Sequence, residues 1–244
     1  ERTLAAFERL LARRGRELAA LVVEPLVLGA GGMLVYAPEV LRELGALCAR
    51  HGTLLVADEV MTGFGRTGTL FACEQAGVTP DLMCLSKGIT GGLLPLGATL
   101  ATEEVFRAFL AEDPSRAFLH GHSYAGNPIA CAAAAANLDI FETEPVLERI
   151  RAIAAVHRRE LRRFEGRPQV AAIRQAGTIA AVELAASDAG YLSALAPRLK
   201  RFYLSRGALL RPLGNVVYLL PPYCSTEADL HATYDLIEES LALA

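Results

Sequence analysis

The chain has 244 residues, 52% of them hydrophobic and 21% charged, with a formal net charge of -3. That is a globular composition with enough apolar side chains for a substantial core and room for two domains. The near-neutral balance gives no electrostatic footprint for nucleic acid or an anionic membrane as partner, and the longest apolar stretches break well before bilayer length. Five cysteines (Cys48, Cys73, Cys84, Cys131 and Cys224) are widely spaced, with no CxxC pair. Four of them sit in apolar or helical runs, which reads as buried thiols in a reducing compartment. A cytoplasmic protein is expected.

The sequence starts at Glu1, without an initiator methionine, in an amphipathic helical pattern over about 2–16. Such a stripe needs a surface to pack on, so the expectation is a chain that begins upstream, of which this is a C-terminal fragment. A strand is predicted over 18–24, a helix over 38–50 with Pro38 in its first turn, and a strand over 53–58. A Gly-rich loop follows, then a strand over 82–85 and another within 94–100. Helix–strand alternation with continuous apolar strands predicts an α/β fold with a mostly parallel sheet. Asn127-Pro128, a good N-cap and a good first helical residue, opens an Ala-rich helix to about 141. A long charged helix is predicted from 144 to 164, strands over 170–174 and 178–183, and a helix over 189–206. Strands over 208–210 and 216–219 and a final helix from Thr226 complete a compact α+β tail. The expected domains are 1–143 and 144–244, the long charged helix forming a bridge between them.

Two of these strands end by delivering a charge. Leu54-Leu-Val-Ala-Asp58 presents a carboxylate, and Leu82-Met-Cys-Leu-Ser-Lys87 presents an amine roughly thirty residues later. Both groups are costly to bury without a partner or a ligand. Pyridoxal phosphate uses such a pair: a lysine for its Schiff base, and a carboxylate that keeps the pyridine nitrogen protonated so that the ring can act as an electron sink. Ligand-binding groups in open α/β sheets gather beyond the carboxyl ends of strands, where Glu24, Asp58 and Lys87 are all expected.

Other motifs carry less. Gly63-Phe-Gly65-Arg-Thr-Gly68 fits GxGxxG, but Asp58-Glu-Val-Met-Thr62 intervenes before it and its last glycine opens only a modest helix start, so a structural turn or a cofactor-adjacent loop is the better reading. The acidic strand at 54–58 could belong to an ATPase, but no GxxxxGK[ST] loop is present. His120-Gly-His122 lacks a third metal ligand at a recognisable spacing. The basic run from His157 to Arg163 is interleaved with acid and apolar residues and reads as a solvated helix face.

The stretch from Asp58-Glu-Val-Met-Thr-Gly63 to Phe71-Ala-Cys-Glu74, continued by Pro80-Asp81 and Leu85-Ser-Lys87-Gly88, resembles the signature of class III (omega-type) pyridoxal-phosphate aminotransferases. Thr90-Gly-Gly-Leu-Leu-Pro-Leu96 and His120-Gly-His-Ser-Tyr124…Asn127-Pro128 are closer still to the biotin-biosynthetic branch, which aminates 8-amino-7-oxononanoate with S-adenosylmethionine as donor. The resemblance covers essentially the whole chain and is densest from Val23 to Phe141. The family's N-terminal segment, with its phosphate-binding turn and ring-stacking aromatic, has no counterpart here. It implies a fold-type I architecture, comprising the second half of the large cofactor-binding domain and the C-terminal small domain, in a homodimer with shared active sites.

Carried over by position, the resemblance implies that Lys87 binds the cofactor and moves protons, that Asp58 pairs with the ring nitrogen, and that Val60 packs on the ring. Ser123 matches a hydroxyl that reaches the cofactor phosphate of the neighbouring subunit. Glu24 matches an active-site glutamate, and Gly121 lies on the substrate side. Relatives acting on ornithine or aminobutyrate carry an arginine three residues before a Pro-Pro pair; this sequence has Tyr218 there, before Pro221-Pro222. Arg211 matches the residue that grips the oxononanoate carboxylate, with Tyr218 as its neighbour, and a guanidinium suits a carboxylate because it can bind both oxygens. The rival readings are another class III transaminase acting on an omega-amino acid, and a catalytically incomplete binding fragment that is inactive alone.

Overall fold

The computed structural model describes residues 2–243. Its first elements are α1 (Arg2–Arg14), β1 (Ala20–Val23), β2 (Val27–Leu28), β3 (Leu34–Val35), α2 (Pro38–His51) and β4 (Leu54–Asp58). There follow α3 (Cys73–Ala76), β5 (Leu82–Leu85), β6 (Ala98–Ala101), α4 (Glu103–Arg107) and α5 (Pro128–Thr143). The remainder comprises α6 (Val146–Leu161), β7 (Val170–Ala176), β8 (Ile179–Leu184), α7 (Leu195–Ser205), β9 (Val216–Leu219) and α8 (Glu227–Ser240). The chain divides into two compact units. The first holds Glu1–Pro25, Ala37–Phe64 and Phe71–Glu144; the second holds Leu26–Tyr36, Gly65–Leu70 and Pro145–Ala244.

In the first unit, four strands pair in the order β1-β4-β5-β6. The β1/β4 and β4/β5 pairs are parallel and β6 runs antiparallel to β5, giving a mostly parallel sheet. Helix α2 forms because Pro38 suits its first turn and apolar residues recur at helical spacing: Leu41, Leu44, Leu47 and Cys48 are buried. It ends at Gly52, whose left-handed backbone (φ 65°) lets its amide bond back to the Ala49 carbonyl. Helix α5 starts where Asn127 accepts bonds from the amides of Ile129 and Ala130, at 3.0 and 3.3 Å.

The second unit contains the antiparallel sheet β7-β8-β9 and the β2/β3 hairpin. Its core packs Phe164, Leu184, Leu199, Tyr203, Tyr234 and Ile237 around the buried face of β8. Helix α6 contributes Val146, Ile150, Ile153 and His157 at helical spacing. The buried tyrosines keep their hydroxyls satisfied, Tyr203 with Ser240 Oγ and Tyr234 with His157 Nδ1, each at 2.7 Å. Arg174 on β7 donates to the carbonyls of Met33 and Gly32 and pairs with Glu183 at 2.7 Å, which ties the hairpin to the sheet. Helix α8 begins in a capping box between Thr226 and Asp229.

Several expectations need correction. The helix expected from 189 starts at Leu195, because Asp188 takes the Ala194 amide at 2.7 Å and the Ser193 hydroxyl at 3.0 Å, holding the intervening residues in a turn. Residues 208–210 form no strand; the Ala208 amide bonds back to the Tyr203 carbonyl at the end of α7. Cys48 and Cys73 are buried and Cys84 is half-buried, but Cys131 and Cys224 are exposed. Cys131 falls on the outer face of α5, whose buried positions are Ala130 and Ala134.

Candidate active site

Asp58 is the last residue of β4 and pairs in register with Cys84 of β5. Lys87 lies three residues beyond Cys84, so two parallel strands deliver the carboxylate and the amine at the same end of the sheet. Val23 of β1 pairs with Ala57, so Glu24 leaves its strand at that end as well. Asp58 is half-buried, and its Oδ1 accepts the Val60 amide at 3.1 Å, which aims the carboxylate with the help of its own loop. The Glu59 amide bonds to the Cys84 carbonyl at 3.0 Å and extends the ladder past Asp58.

Lys87 is exposed and opens a short 3-10 turn, Lys87–Thr90. Its backbone is left-handed (φ 45°), an uncommon conformation for a residue with a Cβ. The preceding Ser86 donates its hydroxyl to the Leu96 carbonyl at 2.7 Å, and Thr90 donates to the Leu94 carbonyl at 2.7 Å. Together these bonds fold the 90–96 stretch back over the turn. Phe64, buried and packed edge-on against Phe71 with ring centroids 5.7 Å apart, presses against Gly88.

Sequence reasoning missed Glu59. Its side chain is fully buried (0% exposed), and its carboxylate accepts the Cys73 amide at 2.8 Å and the Thr62 hydroxyl at 2.5 Å. It therefore pins the loop that leaves β4 to the start of α3. Burial, reinforced by the nearby Glu59 charge, pushes the Cys73 thiol up to about 12, so this cysteine is inert as a nucleophile. The only sequence signal was an acid directly following Asp58, and an acid in a loop looks exposed by default.

Gly121 and Ser123 lie in an exposed turn just before α5, closed by bonds from Ala125 to the His122 carbonyl and from Asn127 to the Tyr124 carbonyl. Arg211 and Tyr218 belong to the second unit. Tyr218 sits on β9 opposite Ala181 and is half-buried; Arg211 is exposed. Between them Leu213 and Val216 exchange backbone bonds at 2.8 and 2.9 Å, and buried Asn215 bridges the Leu184 carbonyl and the Gly190 amide. The glycine motif closes a turn, with the Gly68 amide on the Gly65 carbonyl at 3.0 Å, and the next helix starts only at Cys73.

The structure thus brings Glu24, Asp58, Val60 and Lys87 to one sheet end, with an exposed lysine and a carboxylate anchored by its own loop. That donor set fits pyridoxal phosphate: a nucleophilic amine for its aldehyde and an anionic partner for its basic ring nitrogen. Residues 1–241 match the family described as aminotransferase class-III. This chain belongs to that family. The family uses pyridoxal phosphate, and the fold is that of the fold-type I aminotransferases. The chain is 46% identical over 239 residues to the adenosylmethionine-8-amino-7-oxononanoate aminotransferase of Synechococcus elongatus, a match covering 98% of this chain and 55% of that protein. The crystal structure of the enzyme of that name from Methanocaldococcus jannaschii superposes with a TM-score of 0.92 at 34% identity, covering 99% of this chain and 57% of the other. A thermostable (S)-enantioselective omega-transaminase from Thermomicrobium roseum superposes with a TM-score of 0.91 at 35% identity, covering 99% and 55%. The chain spans about half the length of the curated relatives it matches.

Proposed function

We propose that this chain supplies the lysine-bearing part of an aminotransferase that uses pyridoxal 5'-phosphate to move an amino group from S-adenosylmethionine to 8-amino-7-oxononanoate, giving 7,8-diaminononanoate for biotin biosynthesis. The observation that carries the transaminase reading is the shared strand end that presents Asp58 and Lys87 together. The substrate reading is supported by Arg211 and Tyr218 in the second unit and by the names of the relatives. The bound cofactor supplies an electron-accepting ring beside the substrate carbon. Lys87 would hold it through Nζ and afterwards take up and return a proton there. Asp58 would face the ring nitrogen with its negative charge, and Val60 would pack on the ring. Ser123 would donate its hydroxyl to the cofactor phosphate of a neighbouring subunit, next to the N-terminus of α5, where anions are favoured. Arg211 would grip the acceptor's carboxylate, with Tyr218, Gly121 and Glu24 lining the substrate's path.

In this reading the working protein is a cytoplasmic homodimer with shared sites. Residues 1–143 serve as the second half of the large domain, and 144–244 serve as the small domain. A second reading, a transaminase for omega-amino acids, is favoured by the likeness to the Thermomicrobium enzyme. Separate half-reactions decide between them. Loading of the amino group from S-adenosylmethionine and its release to 8-amino-7-oxononanoate are expected, in ping-pong fashion. Turnover of omega-amino acids with no response to 8-amino-7-oxononanoate would overturn the substrate assignment.

A further inference from the structure

The Lys87–Thr90 turn makes backbone bonds of its own, from Ile89 to the Ser86 carbonyl, from Gly91 to the Gly88 carbonyl and from Gly92 to the Lys87 carbonyl. It also receives a bond from outside. Asn137 on α5 points its side-chain amide at the turn, and Nδ2 donates to the Gly88 carbonyl at 2.9 Å and to the Ile89 carbonyl at 3.3 Å. Gly91, left-handed at φ 61°, leaves room for this approach: a Cβ there would lie 3.2 Å from Asn137 Oδ1. On its other flank the turn meets Phe64, which would lie 2.9 Å from a Cβ on Gly88. The turn that carries Lys87 is thereby gripped from two elements, and the Lys87 backbone sits in a conformation that a lysine does not choose unaided. Asn137 follows the run Ala132–Ala136, where alanine would be the better helix former, so its presence carries a local helical cost.

We propose that Asn137 is a positioning residue for the cofactor lysine: its amide holds the Lys87–Thr90 turn in the left-handed entry that presents the Lys87 amine. This inference rests on the reading of Lys87 as the residue that binds pyridoxal phosphate. The rival role for Asn137 is simple docking of α5, which would affect stability alone.

The test compares Asn137→Leu, similar in volume but without donors, with Asn137→Gln, which restores an amide. In the cofactor-free protein, Asn137→Leu should speed hydrogen exchange at the Gly91 and Gly92 amides by about tenfold, because local opening governs their protection. Loaded with pyridoxal phosphate, the same variant should shift the pH midpoint of the visible absorbance by about half a unit or more. It should lower kcat about tenfold while KM stays within about twofold, the pattern of lost alignment rather than lost binding. Asn137→Gln should recover part of each change. If Asn137→Leu fails to fold, Asn137→Ser is read by the same criteria. Unchanged exchange and an unchanged midpoint, with the cofactor fixed to Lys87 by borohydride, would overturn the inference alone. Fixation to Lys200 instead would overturn the reading of Lys87 on which it rests.

Discussion

Gly88 and Phe64 meet so closely that a single methyl group on the glycine would lie 2.9 Å from the phenylalanine Cβ. The residue after the proposed cofactor lysine is glycine because a buried ring occupies the space of a side chain. Gly88→Ala should therefore push the Lys87 turn away from Phe64. We expect a stability loss of about 1–3 kcal/mol, the usual cost of overpacking. Weaker retention of pyridoxal phosphate should accompany it. Pairing Gly88→Ala with Phe64→Leu should return part of both, measured by thermal unfolding and by visible absorbance after dialysis. A silent Gly88→Ala would show that the turn relaxes freely and that the contact constrains nothing.

Glu59 offers a second check, one that needs no cofactor. Its carboxylate satisfies the Cys73 amide and the Thr62 hydroxyl in a buried setting. Glu59→Ala leaves both donors without that acceptor, at about 1–3 kcal/mol for each buried unsatisfied group. Glu59→Gln should cost far less, because its oxygen can still take the Cys73 amide while the Thr62 hydroxyl rotates to accept from its nitrogen. Urea unfolding of the two variants should separate them clearly. Equal losses would mean that the negative charge itself, and not the acceptor geometry, holds the loop.

What was legible in the sequence and what was not follow from the range of the forces involved. The apolar runs that become β4 and β5 and the capping residues Asn127 and Thr226 announce themselves locally, because pattern and capping act over a few residues. The antiparallel direction of β6 left no local mark, since strand direction is decided by the connection and the partner. The late start of α7 was hidden because Asp188 and Ser193 compete with the helix through side-chain bonds that periodicity does not register. The grouping of 26–36 and 65–70 with the C-terminal residues rests on contacts far apart in sequence, such as Arg174 to Met33 and Thr178 to Arg66. Glu59 and Asn137 were invisible for a related reason. Each is an ordinary polar residue until the chain folds a buried donor or carbonyl against it.

The electron-sink role proposed for Asp58 predicts that Asp58→Asn keeps the fold but slows transamination at least about a hundredfold, on the scale of other preorganised electrostatic effects. Asparagine can still accept the Val60 amide, so the loop should survive. Near-normal turnover with unchanged absorbance would reduce Asp58 to a structural residue.

The carboxylate-binding role proposed for Arg211 predicts that its loss separates the two proposed substrates. Arg211→Ala should weaken 8-amino-7-oxononanoate by about 2 kcal/mol or more, roughly thirtyfold, as one partner of a charge pair is lost. The half-reaction with S-adenosylmethionine should change much less. Stopped-flow measurement of each half-reaction makes the comparison, and equal losses in both would place Arg211 in support of the fold or the cofactor.

The burial of His157 predicts that the stability of the second unit depends on pH. The imidazole is fully buried, with Nδ1 on the Tyr234 hydroxyl at 2.7 Å. Burial lowers its pKa from 6.5 to about 4, with a backbone interaction at Thr178 offsetting part of the effect. Because the unfolded chain takes up the proton first, the stabilisation is complete above about pH 6.5 and is lost as pH falls toward 4. A shift of that size corresponds to about 3 kcal/mol. His231 acts in the opposite sense: its bond to Glu227 raises its pKa, so its contribution is present at low pH and fades as pH rises through that value. Glu238, held low by Arg163, loses its contribution only as pH falls through its depressed pKa, below the ordinary carboxylate range. His157→Gln keeps a polar partner for Tyr234 and removes the titration. Urea unfolding between pH 7.5 and 4.5 should then show a steep decline in the parent protein and a flatter one in the variant. Parallel curves would mean that the imidazole reaches water in the folded state and that its burial carries no proton linkage.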